Sequence, residues 1–353
     1  MKTKFFNFHE DPSPYFIADI AANHDGSIDR AKELIWLAKE SGAHCAKFQH
    51  FTAKGIVNGP GFGALNSLKT HQSDWDKSVA EVYDQYHFKR EWTKEIAKEC
   101  QRAKIDFSST PYDSDAISLI KKYAPFIKIG SGDISWIEHI EGCAATGLPI
   151  VIASGASTLA DVSRVMRIFE RYDNQLCLMQ CNTNYTTDRE KIAYVNLNVL
   201  KWYHQHYPDI ILGLSDHTLT DTSVLGAVAL GAQVIEKHFT DDNSRIGPDH
   251  KFAINPKNWR KMVDRANELS LAMGDGNKKV EANEVEAFIV QRRSCTAVRT
   301  LEKGTILNKE DLTYLRPCPQ GAFHPYEATK ITGRRLKRTV QKNEIFYDSD
   351  FDA

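Results

Sequence analysis

No apolar run in the 353-residue chain approaches the ~20 residues that a membrane helix needs. The opening stretch MKTKFFNFHEDPSPYF has no apolar h-region, so a signal peptide is not expected. Charge of one sign is also missing. The formal net charge is −1, which leaves no bulk field to recruit nucleic acid or an anionic membrane. The short basic cluster Arg334, Arg335, Lys337 and Arg338 is expected to be a solvated face. Cysteine is sparse and unpaired in pattern: seven residues, an odd number, with no CxxC spacing. Reduced thiols in a cytoplasmic protein are the expectation. A glycine-rich phosphate turn is absent too. The first apolar run leads into NHDGS, which disfavours a doubly wound dinucleotide-binding sheet. Hydrophobic content of 42% and charged content of 26% are those of an ordinary globular protein.

What is present is alternation. Strand-like runs at 16–21, 44–49, 106–110, 125–130, 149–154, 176–181, 210–215 and 233–239 are each followed by a helical pattern. Helices are predicted at 27–40 (with Ser27 as N-cap), 89–104, 113–122, 134–146, 159–171, 197–206, 222–230 and from Pro256 onward. A polar insert, 54–88, interrupts the second unit. Eight βα units of this total length predict an α/β protein, a (β/α)8 TIM barrel. After Met273 the texture changes. The expected division is a barrel at 1–275, a linker at 276–290 and a small β domain at 291–353. Within the last, RTLEKGTILNKEDL (299–312) aligns with RTVQKNEIFYDSDF (338–351), which suggests a pseudo-symmetric pair of β units.

The active site of such a barrel lies at the C-terminal ends of its strands, and every second strand residue faces inward. Phase then gathers Asp19, with Asn23 and His24 beyond it, Lys47 and Gln49, Ser109–Thr110, Lys128 and Ser131, Ser154, Asn182, Thr183 and Tyr185, Ser215 and His217, and Glu236 and His238. His217 and His238 end adjacent strands and would form half of a metal site, with positions left for water and substrate. Two histidines among 13 are a weak signature by themselves. Lys47 and Lys128 each interrupt an apolar strand. An inward lysine is costly unless it meets an anion, so two of them imply a doubly or triply negative ligand. The hydroxyls of Thr110, Ser131, Ser154 and Ser215 would complete that cradle. Lysines snorkelling to the rim are the plainer alternative.

The stretches NHDGS, KFQ, SSTPYD, KIGSGD, SDHT, EKHF and GPDHKFA occur in this order. Together with RRSCTAVRTLEKGTILNKEDLTYLRP and ITGRR in the tail, they strongly resemble the sialic acid synthase family with its C-terminal antifreeze-like (SAF, β-clip) domain. The resemblance covers residues 13–351. It implies condensation of phosphoenolpyruvate with an N-acylated aldohexose such as N-acetylmannosamine, giving a nine-carbon 2-keto-3-deoxy acid and phosphate. It implies a divalent metal, Mn²⁺ in most members (Mg²⁺ or Co²⁺ being alternatives), on His217 and His238. Lys47, Lys128, Thr110, Ser131 and Ser215 resemble the phosphoenolpyruvate cradle, to which Ser154 and Thr183 are added. Gln49, Tyr185 and Asp249 resemble the amino-sugar contacts. Arg316 resembles the SAF arginine that enters the partner's site, which implies a domain-swapped homodimer. Two positions depart from the family pattern. Asp19 and Asp133 stand where glutamate is usual, each drawing a carboxylate back by one methylene. Other readings are another phosphoenolpyruvate-dependent ulosonate synthase, a Schiff-base aldolase using Lys47 or Lys128, and a non-enzymatic carbohydrate-binding protein.

Overall fold

The computed structural model describes residues 2–3, 6, 13–65, 72, 75–185, 187 and 189–352; residues 66–71 and 73–74 of the insert lie outside that set. The chain divides into two compact units, Met1–Gly274 and Asp275–Ala353.

The first unit holds eight parallel strands: β1 Tyr15–Asp19, β2 Cys45–His50, β3 Asp106–Pro111, β4 Ile127–Ile129, β5 Ile150–Ala153, β6 Leu176–Cys181, β7 Ile211–Asp216 and β8 Val234–His238. Their order is β3-β2-β1-β8-β7-β6-β5-β4. The two ends of that order meet where Ser108 Oγ donates to the Phe126 carbonyl at 3.1 Å, so the sheet is a nearly closed barrel. Helices alternate with the strands: α1 Ile28–Glu40, then α2 Ala53–Ile56, α3 Gly59–Ala64 and α4 Val79–Tyr86 in the insert, then α5 Thr93–Ala103, α6 Ser114–Ile120, α7 Ile137–Ala144, α8 Leu159–Phe169, α9 Val199–His206, α10 Thr222–Ala229 and α11 Pro256–Met273. Side-chain caps fix several of these starts. Ser27 accepts from the Arg30 N–H and Asp113 from the Ala116 N–H, while Thr158 and Asp161 form a capping box.

Two phases of apolar residue make two cores. Phe16, Ala18, Phe48, Phe107, Ile152, Leu178, Leu214 and Ile235 face the helices. Tyr15, Ile17, Cys45, Val151, Ala153, Cys177, Met179 and Val234 fill the barrel interior. A parallel sheet covered on both faces accounts for strands without polar–apolar alternation. The first strand ends earlier than the sequence pattern predicts, at Asp19. The Asp19 carboxylate accepts the Ala21 N–H at 3.1 Å, and the backbone turns there with Ala21 at φ 47°.

The second unit carries an antiparallel pair, β9 Ser294–Ala297 with β10 Leu312–Leu315. Its core includes Cys295, Leu301, Leu307, Leu336, Val340, Phe346 and Phe351. The sequence repeat is a structural repeat. Arg299 pairs with Asp311 and Arg338 with Asp350, each at 2.7 Å, and these are equivalent positions of the two copies. Leu301 bridges its own equivalent, Val340, across the centre. In the basic cluster, Arg334 and Arg338 are paired with Asp348 and Glu344.

Candidate active site

Strand register places the polar residues at the C-terminal mouth. Asp19 lies level with Lys47 on one side and with His238 on the other. Ser215 lies level with Glu236, and Gln49 with Thr110. The consequence is one connected array. Lys47 Nζ donates to Asp19 Oδ2 at 2.7 Å and sits 3.9 Å from Glu236 Oε2. Lys128 Nζ lies 3.3 Å from Glu236 Oε1, to which Ser215 Oγ also donates at 3.3 Å. Thr110 Oγ1 is 3.5 Å from Lys47 Nζ, and Gln49 Nε2 donates to Asp19 Oδ2 at 3.2 Å. Both lysines are 2% exposed, which is not snorkelling to the rim. Burial opposes the charge on Lys47, but Asp19 and Glu236 outweigh it and hold the ammonium above the ordinary lysine range. Glu236 Oε2 is buried without a hydrogen-bond partner. The sequence placed Glu236 in phase and assigned it no role; here it is the shared counter-ion of two lysines.

The two histidines stand beside this array, with ring centroids 5.5 Å apart. His217 Nδ1 donates to the Asn182 carbonyl at 2.9 Å, which leaves Nε2 as its lone-pair nitrogen. Lys191 Nζ donates to the His217 carbonyl at 2.6 Å and so ties down the loop, a contact the sequence gave no sign of. His238 Nε2 is 3.8 Å from Asp19 Oδ2. Tyr185 packs on both rings, at 4.3 Å and 6.0 Å. Among the described residues, no group of three or more His, Cys, Asp or Glu side chains is placed to hold a metal ion. The imidazole pair therefore offers two protein ligands at most, a set that fits an ion sharing its other positions with water and substrate.

Two half-buried carboxyls border the mouth. Asp133, in the turn Ser131–Asp133 after β4, is pushed up to about 6 by burial, an effect that Lys128 only partly offsets. Asp249 is also pushed up to about 6 by burial, although its Oδ2 accepts the Ala22 N–H at 3.1 Å.

Three phase assignments need correcting. Ser154 follows inward-facing Ala153 and so points the other way. Its hydroxyl donates to the Met179 carbonyl at 2.9 Å and accepts from Tyr203 of α9 at 2.8 Å, bonds that tie β5 to β6 and to the helix layer. Ser109 likewise faces outward, to His50 at 2.6 Å. His24 is fully buried against Phe88 and Trp92, and burial lowers it to about 4, so it is a neutral packing residue. Arg316 lies exposed in the second unit, directly after β10.

Gly155 explains how Ser131 and Thr183 come together. Its N–H donates to Ser131 Oγ at 3.0 Å. A Cβ there would lie 2.0 Å from Thr183 Oγ1, 2.8 Å from Ser131 Oγ and 2.9 Å from Cys181 Sγ. Gly155→Ala is therefore expected to cost about 1–3 kcal/mol of stability through overpacking. It should also raise the Michaelis constant for the anionic substrate. Thermal unfolding and initial rates read the two effects, and a variant unchanged in both would show that the hydroxyl pair has room to spread.

Comparison with known proteins decides the family. The NeuB family pattern matches residues 34–278 and the SAF domain pattern residues 292–352. The chain belongs to the NeuB family. It is an enzyme of the sialic acid synthase type, with a SAF domain following a barrel. It is 34% identical to the N,N'-diacetyllegionaminic acid synthase of Legionella pneumophila, over 92% of this chain and 91% of that protein. It is 30% identical to the human N-acetylneuraminate-9-phosphate synthase, over 96% and 92%. Among solved structures it resembles the N-acetylneuraminic acid synthetase of Leptospira borgpetersenii, with a TM-score of 0.68 and 25% identity over 78% of this chain and 90% of that one. No described helix is long and apolar enough to cross a membrane.

Proposed function

We propose that this NeuB-family enzyme condenses phosphoenolpyruvate with an N-acylated aldohexose to give a nine-carbon 2-keto-3-deoxy acid and inorganic phosphate. One observation carries the reading: two fully buried ammonium groups, Lys47 and Lys128, converge on Glu236 beside a pair of imidazoles at the barrel mouth. Lys47 and Lys128 hold the phosphate and carboxylate of phosphoenolpyruvate, with Thr110, Ser131, Thr183 and Ser215 as hydroxyl partners. Gln49, Tyr185 and Asp249 orient the sugar. Carbon 3 of phosphoenolpyruvate forms a bond to the open-chain aldehyde carbon, whose oxygen takes a proton. Water adds to carbon 2 and gives up a proton. The bond from carbon 2 to the phosphate oxygen then breaks, leaving the keto acid and phosphate. Asp133, ionising near neutral pH, is placed to exchange one of these protons.

His217 and His238 would hold a divalent ion, Mn²⁺ by preference, and such an ion polarises a carbonyl oxygen when bound. A protonated Lys47 is a poor Schiff-base nucleophile, which counts against the aldolase alternative. The reading extends to a cytoplasmic, domain-swapped homodimer in which Arg316 of one subunit meets the acyl group in the other's site.

The test supplies phosphoenolpyruvate labelled at the bridging oxygen, together with Mn²⁺ and N-acylated aldohexoses. Phosphate release, with the label in phosphate and a product mass equal to sugar plus pyruvate, is expected. No phosphate release with any acceptor, or label retained in the sugar acid, would overturn the reaction.

A further inference from the structure

The insert carries a wall that the condensation does not use. After β2 the chain runs through Phe51 into the insert, and α4 returns over the same face. Between them is a cleft of about 340 Å³ whose lining includes Gln49, Phe51, Trp75, Tyr83, Tyr86 and Asp249. The rings form one cluster. Phe51 lies 5.0 Å from Tyr83 and 5.8 Å from Tyr112, and Trp75 lies 6.3 Å from Tyr83. A capping box on Ser78 and Glu81 fixes the start of α4, and Val82 is buried beneath it. The cleft joins the reacting array at one point. Gln49 donates to the same Asp19 oxygen that accepts from Lys47.

That junction orients any sugar. Its aldehyde end must lie at the lysine and imidazole end, so its far carbons, C4 to C6, extend outward past Gln49 and Asp249 to the aromatic wall. The described lining contains no lysine or arginine and does contain the Asp249 carboxyl. A phosphate on C6 would there meet aromatic rings and a like charge, with no guanidinium or ammonium to replace its water. Aromatic faces with a few polar groups suit the C–H faces of an uncharged sugar.

We propose that the insert is the acceptor-specificity element of this enzyme, and that Tyr83 and Trp75 select an unphosphorylated N-acylated aldohexose by packing against its C4–C6 end. This rests on the condensation proposed above and names its substrate class. The human relative, whose product name carries a 9-phosphate, marks the alternative.

The test compares N-acetylmannosamine, its 6-deoxy analogue and its 6-phosphate as partners for phosphoenolpyruvate, by phosphate release. Either uncharged sugar is expected to exceed the 6-phosphate by about 50-fold or more in kcat/KM. Tyr83→Ala and Trp75→Ala should raise the acceptor KM by about ten-fold, with the KM for phosphoenolpyruvate unchanged. Tyr86→Lys guards against a folding artefact, because adding a cation at the wall should shift the ratio towards the 6-phosphate. Equal or better use of the 6-phosphate by the wild type, or an acceptor KM and ratio unmoved in all three variants, overturns the specificity proposal while the condensation stands. Failure of every sugar to release phosphate overturns the condensation and this inference together.

Discussion

Replacing Lys47 by methionine should remove nearly all condensation activity and destabilise the fold at the same time. The two effects have separate causes. Lys47 Nζ donates to Asp19 at 2.7 Å, and both groups are about 2% exposed. Removing one partner of a buried ion pair leaves the other charge uncompensated, at a cost of about 3–5 kcal/mol. Gln49 and the Ala21 N–H still donate to Asp19, which puts the expected loss at the lower end. On the catalytic side, loss of one preorganised cation from a dry anion site is worth about 10²–10³-fold. Lys128→Met should behave similarly through Glu236, which would keep only Ser215 as a donor.

The double variant Lys47→Met with Asp19→Asn separates the causes. It removes both charges of the pair, so most of the stability should return while activity stays low. Urea unfolding and kcat/KM for phosphoenolpyruvate decide the matter. A Lys47→Met enzyme of wild-type stability and unchanged kinetics would show that the ammonium has no part in the anion site. A double variant that regained activity would show that charge balance, and not anion binding, is what Lys47 supplies.

Much of this array was legible because it follows strand phase. Asp19, Lys47, Lys128, Ser215, Glu236 and His238 are polar interruptions at alternate positions of otherwise apolar runs, and alternation alone points them inward. Phase fails where a strand is short and the chain turns just past it. Ser154 lies one residue beyond β5, out of phase with Ala153, and its hydroxyl had backbone and Tyr203 partners that no local pattern announces. His24 looked like a mouth residue because it follows Asn23. Only the return of the insert to Phe88 and Trp92 reveals the apolar pocket that takes it. Register was invisible as well. That Asp19 stands level with both Lys47 and His238 depends on how three strands slide against one another, which no single strand encodes. The aromatic wall was hidden for a further reason. Phe51, Trp75 and Tyr83 come from separate turns of a polar segment and meet only in space.

Removal of either imidazole should abolish metal binding and, with it, turnover. His217 Nδ1 is committed to the Asn182 carbonyl, so the ring is held with one nitrogen available. Lys191 holds the loop through the His217 carbonyl, a backbone contact that survives side-chain truncation. His217→Ala should therefore fold, losing about 1–3 kcal/mol for the acceptor it leaves unpaired. A ligand that binds only the native state stabilises it by about 2.7 kcal/mol at a hundred times its dissociation constant. For a barrel of this size that is a rise in Tm of roughly 5–11 °C. The wild type should show this rise on adding Mn²⁺, while His217→Ala and His238→Ala should not, and their kcat should fall to about the chelator-treated level. Measuring Tm and bound metal alongside rate keeps the outcome independent of substrate choice. With only two imidazoles as protein ligands, neither can be spared. If both variants kept the Mn²⁺-induced rise and chelator-sensitive turnover, the ion would have to sit elsewhere, and the histidine pair would be a packing partner of Tyr185 and Phe252.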